Sequence, residues 1–524
     1  MNLYDILKTG AGYFPNNQAV VHSERSIKYY ELLLAVDKVA EYISGLNIER
    51  NSSIAILYEN SIEYVICFFA IFKAGHIAVP LDTSLKPEKI NRLLEDSEAC
   101  GLFFQSKFLR HFDKIIDDQL PLKFIVSNKG LKIELGQIHF GRLSSILEGN
   151  SEIPNSPPAI EGELNIDELF AKVNVSSNDL AALFYTSGST GEAKGVMLSH
   201  KNLVSNTIAT VKYLKLTERD RIMVILPFYY IYGNSLLLTH ILCGGTLVID
   251  NRFMYPETIL DTMEREKATG FSGVPSNFII LLNKSTMPER KFEHLRYFTQ
   301  AGGAMAPEVI KKLMETFPNK EIYIMYGQTE AAPRVSWLPP EKLREKLGSI
   351  GIPVPGVSIK IMGPDNKEMP VGESGELAVA GDNVMLGYWK QPGETVEVVR
   401  NGWLYTGDLA RVDEDGYFFI TGRKKEIIKS GGNRVSAKEV EECLLEFDKI
   451  LEVAVFGVPD DLLGEAIKAV IVLKKGEAIT DKEIQSFCRS RISEHKIPKI
   501  IVYSESLPKL QSGKINKPAL KGIA

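Results

Sequence analysis

A cradle for phosphate is the first chemistry the residues suggest. It lies in Tyr185-Thr186-Ser187-Gly188-Ser189-Thr190-Gly191-Glu192-Ala193-Lys194-Gly195. The segment follows an apolar run at 180–184 that reads as a strand, and it precedes a helix that Ser199 is placed to cap. Gly188 and Gly191 let a backbone come close to a ligand, and exposed N–H groups in such a loop attract phosphate. The hydroxyls of Thr186, Ser187, Ser189 and Thr190 add donors, and Lys194 adds a point charge. A flexible Ser/Gly linker has similar composition but needs neither the strand nor the lysine. The spacing does not fit the G-x-x-x-x-G-K-[ST] loop.

Four further motifs follow in order: Tyr326-Gly327-Gln328-Thr329-Glu330, Tyr405-Thr406-Gly407-Asp408, Gly422-Arg423-Lys424-Lys425 and Ser512-Gly513-Lys514-Ile515. With the first segment, this series resembles the adenylate-forming (AMP-binding) superfamily of acyl-CoA and aryl-CoA synthetases, peptide-synthetase adenylation domains and firefly luciferases. The resemblance covers nearly the whole chain. It implies an acid–thiol ligase that uses ATP and Mg²⁺ to turn a carboxylic acid into an acyl-AMP. The acyl group then passes to coenzyme A or to the phosphopantetheine of a carrier protein.

The residue types make sense of the roles so implied. Glu330 is a hard carboxylate suited to Mg²⁺, and the Thr329 hydroxyl beside it can donate to the α-phosphate. Tyr326 offers a flat face for adenine beside Gly327, and a solvated surface acid is the alternative for Glu330 taken alone. Asp408 can accept from both hydroxyls of a ribose, or simply form a turn. Arg423 would reach ribose or phosphate by resemblance. Gly302-Gly303-Ala304 matches a small-residue turn that borders adenine and the acyl group. Lys514 is the expected catalytic cation, because a carboxylate and a phosphate repel as they approach. Leu510-Gln511 stands before it where relatives carry Pro or Thr.

The segment from Pro227 through Phe228, Tyr229, Tyr230, Ile231 and Tyr232 to Ser235 resembles the mouth of the acyl pocket. Tyr230 stands where many relatives carry His; Tyr230, Ile231, Ser235, Gly302 and Ala304 are the expected substrate contacts, and an aromatic core cluster is the alternative. No Asp lies between Phe228 and Leu236 to hold an α-ammonium, so an apolar or aromatic acid is expected rather than an amino acid. Arg334 is open to two readings, contact with a polar substrate tail or a structural ion pair.

The elements that must position these residues are also legible. Ser53–Leu57 and Gly101–Phe104 read as strands, and Ile62–Lys73 and 86–96 as helices, the alternation of a parallel sheet. Residues 150–161 are rich in Pro, Ser and Asn and read as a surface loop. Strand-like runs broken by Gly and Pro at 354–379 predict a barrel-like subdomain. Glu414-Asp415-Gly416 predicts a hairpin turn between 409–413 and 417–421. Ser436 and Glu439 spell a capping box, followed by strands at 453–458 and 469–473 and a helix at 481–492. The expected fold class is α/β: a large N-terminal AMP-binding domain, 1–421, of α/β subdomains plus the barrel-like one, and a small mobile α+β domain, 422–524. Lys425 is the expected hinge, and rotation there would bring Lys429 with Ser430-Gly431-Gly432 to the site for the thiol step.

Composition sets bounds. The 524 residues suffice for roughly two to four domains or subdomains. A balance of 61 basic against 66 acidic residues argues against nucleic acid as a partner. Five scattered cysteines form no C-x-x-C pair and fit a reducing, cytoplasmic setting. No apolar run approaches the ~20 residues of a membrane span. The rival readings are a phosphoryl-transferring ATPase or kinase, which would release ADP, and a non-catalytic binding relative.

Overall fold

The computed structural model describes residues 1–116, 120–129, 138–148, 156–171, 177–187, 193–510 and 513–520. Ser53–Leu57, Ile77–Pro80, Gly101–Phe104 and Phe124–Ser127 are buried throughout. That is why they read as unbroken apolar runs: strands covered on both faces lose the polar alternation. They pair in parallel within an eight-stranded sheet, which Leu180–Ser187, Ala193–Ser199 and the short Gly387–Tyr388 extend on one side. A second sheet of nine strands has a parallel centre formed by Thr246–Ile249, Arg221–Val224, Gly270–Gly273, Tyr297–Gln300 and Glu321–Gly327. Arg334–Leu338 folds back antiparallel on its Glu321–Gly327 edge.

Helices fill the space between the sheets. Every residue of Ile231–Cys243 is buried, as are most of Ile62–Lys73, so both helices lie in the core. They share one cluster with side chains of both sheets, including Ile54 and Ala78 from one and Ile222 and Tyr297 from the other.

The subdomain expected to be barrel-like is a five-stranded antiparallel sheet of Val357–Met362, Gly375–Gly381, Trp403–Val412, Val399–Arg400 and Phe418–Arg423. Its hairpin turns at Gly416 with φ +82°, and the Asp413 carboxylate accepts from the N–H groups of Asp415 and Tyr417. The small domain has a separate core, with Ile428, Val440, Leu444, Val455 and Ile484 between its own sheet and two helices, Ala437–Leu445 and Asp481–Arg489.

Two local expectations change. Ser436 does precede the helix, but it forms no capping box: its hydroxyl donates to the Thr421 carbonyl at 2.8 Å, and Glu439 pairs with Lys496 at 2.6 Å. Tertiary partners outcompete the local bonds. The boundary drawn between 421 and 422 falls inside the strand Phe418–Arg423; the chain leaves that sheet only at Lys424–Glu426. The 150–161 loop is described only from 156, where it is irregular and exposed. No helix among the described residues is long and apolar enough to cross a membrane.

Candidate functional site

The site gathers at the carboxyl ends of neighbouring parallel strands, where open α/β sheets form ligand crevices. Gly302 follows Tyr297–Gln300, Val274 follows Gly270–Gly273, and Thr329–Glu330 follows Glu321–Gly327. Gly302 has φ +85°, and a Cβ there would stand 3.0 Å from a Val274 methyl, 3.2 Å from Tyr230 Oη and 3.8 Å from Lys514 Cε. Only a residue without a side chain leaves this centre open. Tyr230 stands at the N-terminus of Ile231–Cys243, and Lys514 Nζ lies 5.5 Å from its ring centroid. The loop that delivers Lys514 is itself docked: Ser276 Oγ donates to the Gly513 carbonyl at 2.8 Å, and a Cβ on Gly513 would come within 2.4 Å of Val274.

Beside this centre lies a cluster of polar groups. Tyr326 Oη donates to Asp408 Oδ2 at 2.6 Å, and Arg423 Nε meets Asp408 Oδ1 at 3.1 Å. Asp408 and Arg423 are register partners on adjacent strands, so the pair is fixed by the sheet. Burial pushes the Asp408 carboxyl above its ordinary range, while the Arg423 charge and the Tyr326 hydrogen bond pull it back.

The phosphate-loop residues flank a hairpin in which Thr186 pairs with Lys194. Gly188, Ser189, Thr190 and Gly191, at its tip, lie outside the described residues. Lys194 forms an ion pair with Glu394 and lies 5.1 Å from the Tyr388 ring centroid. The same Tyr388 donates to Glu330 Oε1 at 2.9 Å. Burial next to the Glu330 charge holds the Tyr388 phenol well above its usual range, so it remains a donor. Thr329 is buried between Tyr326 and this network.

Of the other expected residues, Ile231 and Ser235 are buried in the central helix, while Gly303 and Ala304 are exposed on the turn. Lys425 sits in the single turn Lys424–Glu426. Lys429 is exposed opposite Arg434, its N–H bonded to Glu465, on the small domain and not among the Lys514 contacts. Arg334 makes no ion pair with any described carboxylate, so the structural ion-pair reading fails: its guanidinium lies against the Tyr232 ring and Ser235 Oγ. Tyr388, Glu394, Val274 and Ser276 were not singled out from the sequence. No local pattern marks them; Tyr388 reaches the site only because Gly387–Tyr388 adds to the edge of a strand nearly two hundred residues earlier.

Comparison with known proteins agrees with this arrangement. The family model described as AMP-binding enzyme matches residues 7–389, and that described as AMP-binding enzyme C-terminal domain matches 439–514. The chain is 31% identical to the putative acyl-CoA synthetase YngI of Bacillus subtilis, over 98% of this chain and 96% of the relative. It is 31% identical to the long-chain-fatty-acid–CoA ligase of Salmonella typhimurium, covering 100% and 94%. The structure is similar to the anthranilate CoA ligase AuaEII in complex with anthranoyl-AMP (TM-score 0.87, 26% identity, 99% and 96% covered). It is also similar to the o-succinylbenzoate coenzyme A synthetase of Bacillus subtilis in complex with ATP and magnesium ion (TM-score 0.80, 27% identity, 98% and 99% covered). In both sequence and fold the chain belongs to the AMP-binding enzyme family, as an ATP-dependent, AMP-forming acid–coenzyme A ligase.

Proposed function

We propose that the centre formed by Lys514, Tyr230 and Gly302 activates a carboxylic acid with an apolar or aromatic body, and that this is the adenylation arrangement of the protein. The observation that carries the reading is the delivery of Lys514, from the last residues of the chain, against Tyr230 and the bare Gly302 turn.

In the first half-reaction an acid oxygen attacks the α-phosphorus of ATP and pyrophosphate leaves. Lys514 offsets the repulsion between the two anions and follows the charge as it shifts. Asp408, with Tyr326 and Arg423 around it, accepts from the ribose hydroxyls, and the loop before Lys194 receives the departing phosphates. In the second half-reaction the thiol of coenzyme A attacks the carbonyl of the mixed anhydride and AMP leaves. Glu330 and the Thr329 hydroxyl fit Mg²⁺, which takes hard oxygen donors and binds through one or two carboxylates with substrate phosphates and water. No cluster of three or more metal-binding side chains exists among the described residues, in keeping with an ion brought in with nucleotide rather than caged by protein. When bound, the ion neutralises the phosphate charge.

Acid-dependent exchange of labelled pyrophosphate into ATP tests this reading directly. The expected result is exchange that requires the acid, with AMP as product and thioester formed on free coenzyme A. Release of ADP, or exchange without any acid, overturns it.

A further inference from the structure

Arg334 is among the largest side chains wholly withdrawn from water, at 2% exposure. Asn206 clamps its backbone, donating to the Arg334 carbonyl at 2.7 Å and accepting from its N–H at 3.1 Å. The strand therefore cannot slide to bring the head group to solvent. The guanidinium carbon lies 4.1 Å from the Tyr232 ring centroid, and one Nη donates to Ser235 Oγ at 3.2 Å. Its Nε has no partner. Tyr213 and Tyr232 are the neighbouring ionisable groups; burial raises both phenols, that of Tyr213 to about 12, against the pull of Arg334, so neither supplies a negative charge near neutral pH. No described carboxylate stands within ion-pair distance.

Buried charges in folded proteins are paired or hold ligands, because a lone charge withdrawn from water is strongly unfavourable. No described acid supplies a partner, and the segments that surround the guanidinium are those that build the acid site. Ser235 and Tyr232 belong to the helix that Tyr230, against Lys514, immediately precedes; Ser235 is about 7.5 Å further along its axis. The Tyr232 hydroxyl lies 3.0 Å from the Thr299 carbonyl, on the strand that ends at the Gly302 turn. The strand of Arg334 itself begins just past Thr329 and Glu330. The same three segments thus frame both the reacting end of the acid site and the guanidinium behind it.

We propose that Arg334 determines specificity by taking the distal carboxylate of a dicarboxylic acid, so that the substrates are α,ω-dicarboxylates with an apolar spacer rather than plain fatty or aromatic monoacids. The proposal rests on the acid-activating reading of the Lys514 centre. The free Nε and its neighbouring Nη form the fork edge that a carboxylate meets with two parallel hydrogen bonds. Ser235 then orients the head group, and the Tyr232 face holds it in plane.

Pyrophosphate exchange is measured with straight-chain monoacids and α,ω-diacids of matched length. Wild type is expected to favour a diacid over its matched monoacid by about 100-fold or more in kcat/KM, since a site with buried polar groups rejects a ligand that leaves them unpaired. Arg334→Met should lower the diacid rate about 100-fold, leave the monoacid rate equal or higher, and raise the melting temperature of the free enzyme by removing an unpaired buried charge. Arg334→Lys should restore part of the preference. Exchange confined to monoacids, or a ratio unchanged in Arg334→Met, overturns the anchor while acid activation stands. Exchange with neither series overturns both. If Arg334→Met does not fold, the wild-type ratios decide, together with the rise in melting temperature that a diacid without ATP should cause and a monoacid should not.

Discussion

We propose that the division between the two half-reactions turns on Lys514. Its ammonium is delivered to Tyr230 and Gly302 by a loop of the small domain, and one hydrogen bond from Ser276 helps to hold that loop. Its charge is needed when two anions are driven together, and an interaction present only in that transition state affects that step alone. Lys514→Ala is therefore expected to slow adenylation by about 100- to 1,000-fold. Thioester formation from synthetic acyl-AMP should stay within a few-fold of wild type. Single-turnover assays of the separate steps check this; equal losses in both would refute it. At this scale the motifs pointed to residues that the fold does bring close to one another, as for Asp408 beside Tyr326 and Lys514 beside Tyr230. The sequence was silent on Tyr388 and Glu394, whose bonds to Glu330 and Lys194 join segments from different parts of the chain. It also left Arg334 undecided, because an absent counter-ion can be seen only once the surroundings are packed.

Among the elements, the short turn Lys424–Glu426 separates two sheets. Before it, Arg423 is still paired with Asp408; after it, Ile427–Ser430 belongs to the small domain. One site must host two reactions, and Lys514 has to withdraw before a thiol can reach the carbonyl. We propose that rotation at Lys425 does this. Proline fixes φ near −65° and should hold a single orientation. Lys425→Pro is expected to keep pyrophosphate exchange, to lose thioester formation by at least about tenfold, and to leave the melting temperature unchanged. A parallel fall of both activities with stability would make Lys425 a structural position only. The elements around this turn were largely readable beforehand. Ser53–Leu57, Ile62–Lys73 and Gly101–Phe104 begin and end as expected, because their apolar runs are sharply bounded by polar or small residues. The helix after Ser436 was placed correctly but for the wrong local reason, since tertiary partners took both capping groups.

The whole molecule is held by a helical layer between two large sheets, and its acid stability should depend on that layer. His240, on the buried helix Ile231–Cys243, has its ring between the Leu236 carbonyl at 3.0 Å and the Tyr297 hydroxyl at 3.2 Å. Burial lowers its pKa to about 4. The unfolded chain, with His near 6.5, binds the extra proton first. Stability contributed by the neutral ring is therefore complete above about pH 6.5 and is lost as pH falls toward 4. The magnitude is about 3 kcal/mol at most, from roughly 1.4 kcal/mol per unit. Denaturant melts across this window should steepen accordingly, and His240→Gln should flatten the slope while lowering stability at neutral pH. A slope unchanged by the substitution would assign acid unfolding to other groups. Which strands join which sheet was not legible at this scale. Gln18–His22 pairs with Thr246–Ile249 across more than two hundred residues, a choice made by global packing rather than by either segment.

The register of Arg423 with Asp408 has a consequence for the order of events. The connection to the small domain leaves the sheet one residue beyond the Asp408–Arg423 pair, so the proposed rotation would swing the small domain from the frame proposed to grip the nucleotide. Tyr326, Asp408 and Arg423 all belong to sheets that precede Lys425. Under the proposed rotation Lys514 would move away without loosening the mixed anhydride. A reactive, hydrolysable intermediate would thereby be kept in custody during the one interval in which the site changes its tools.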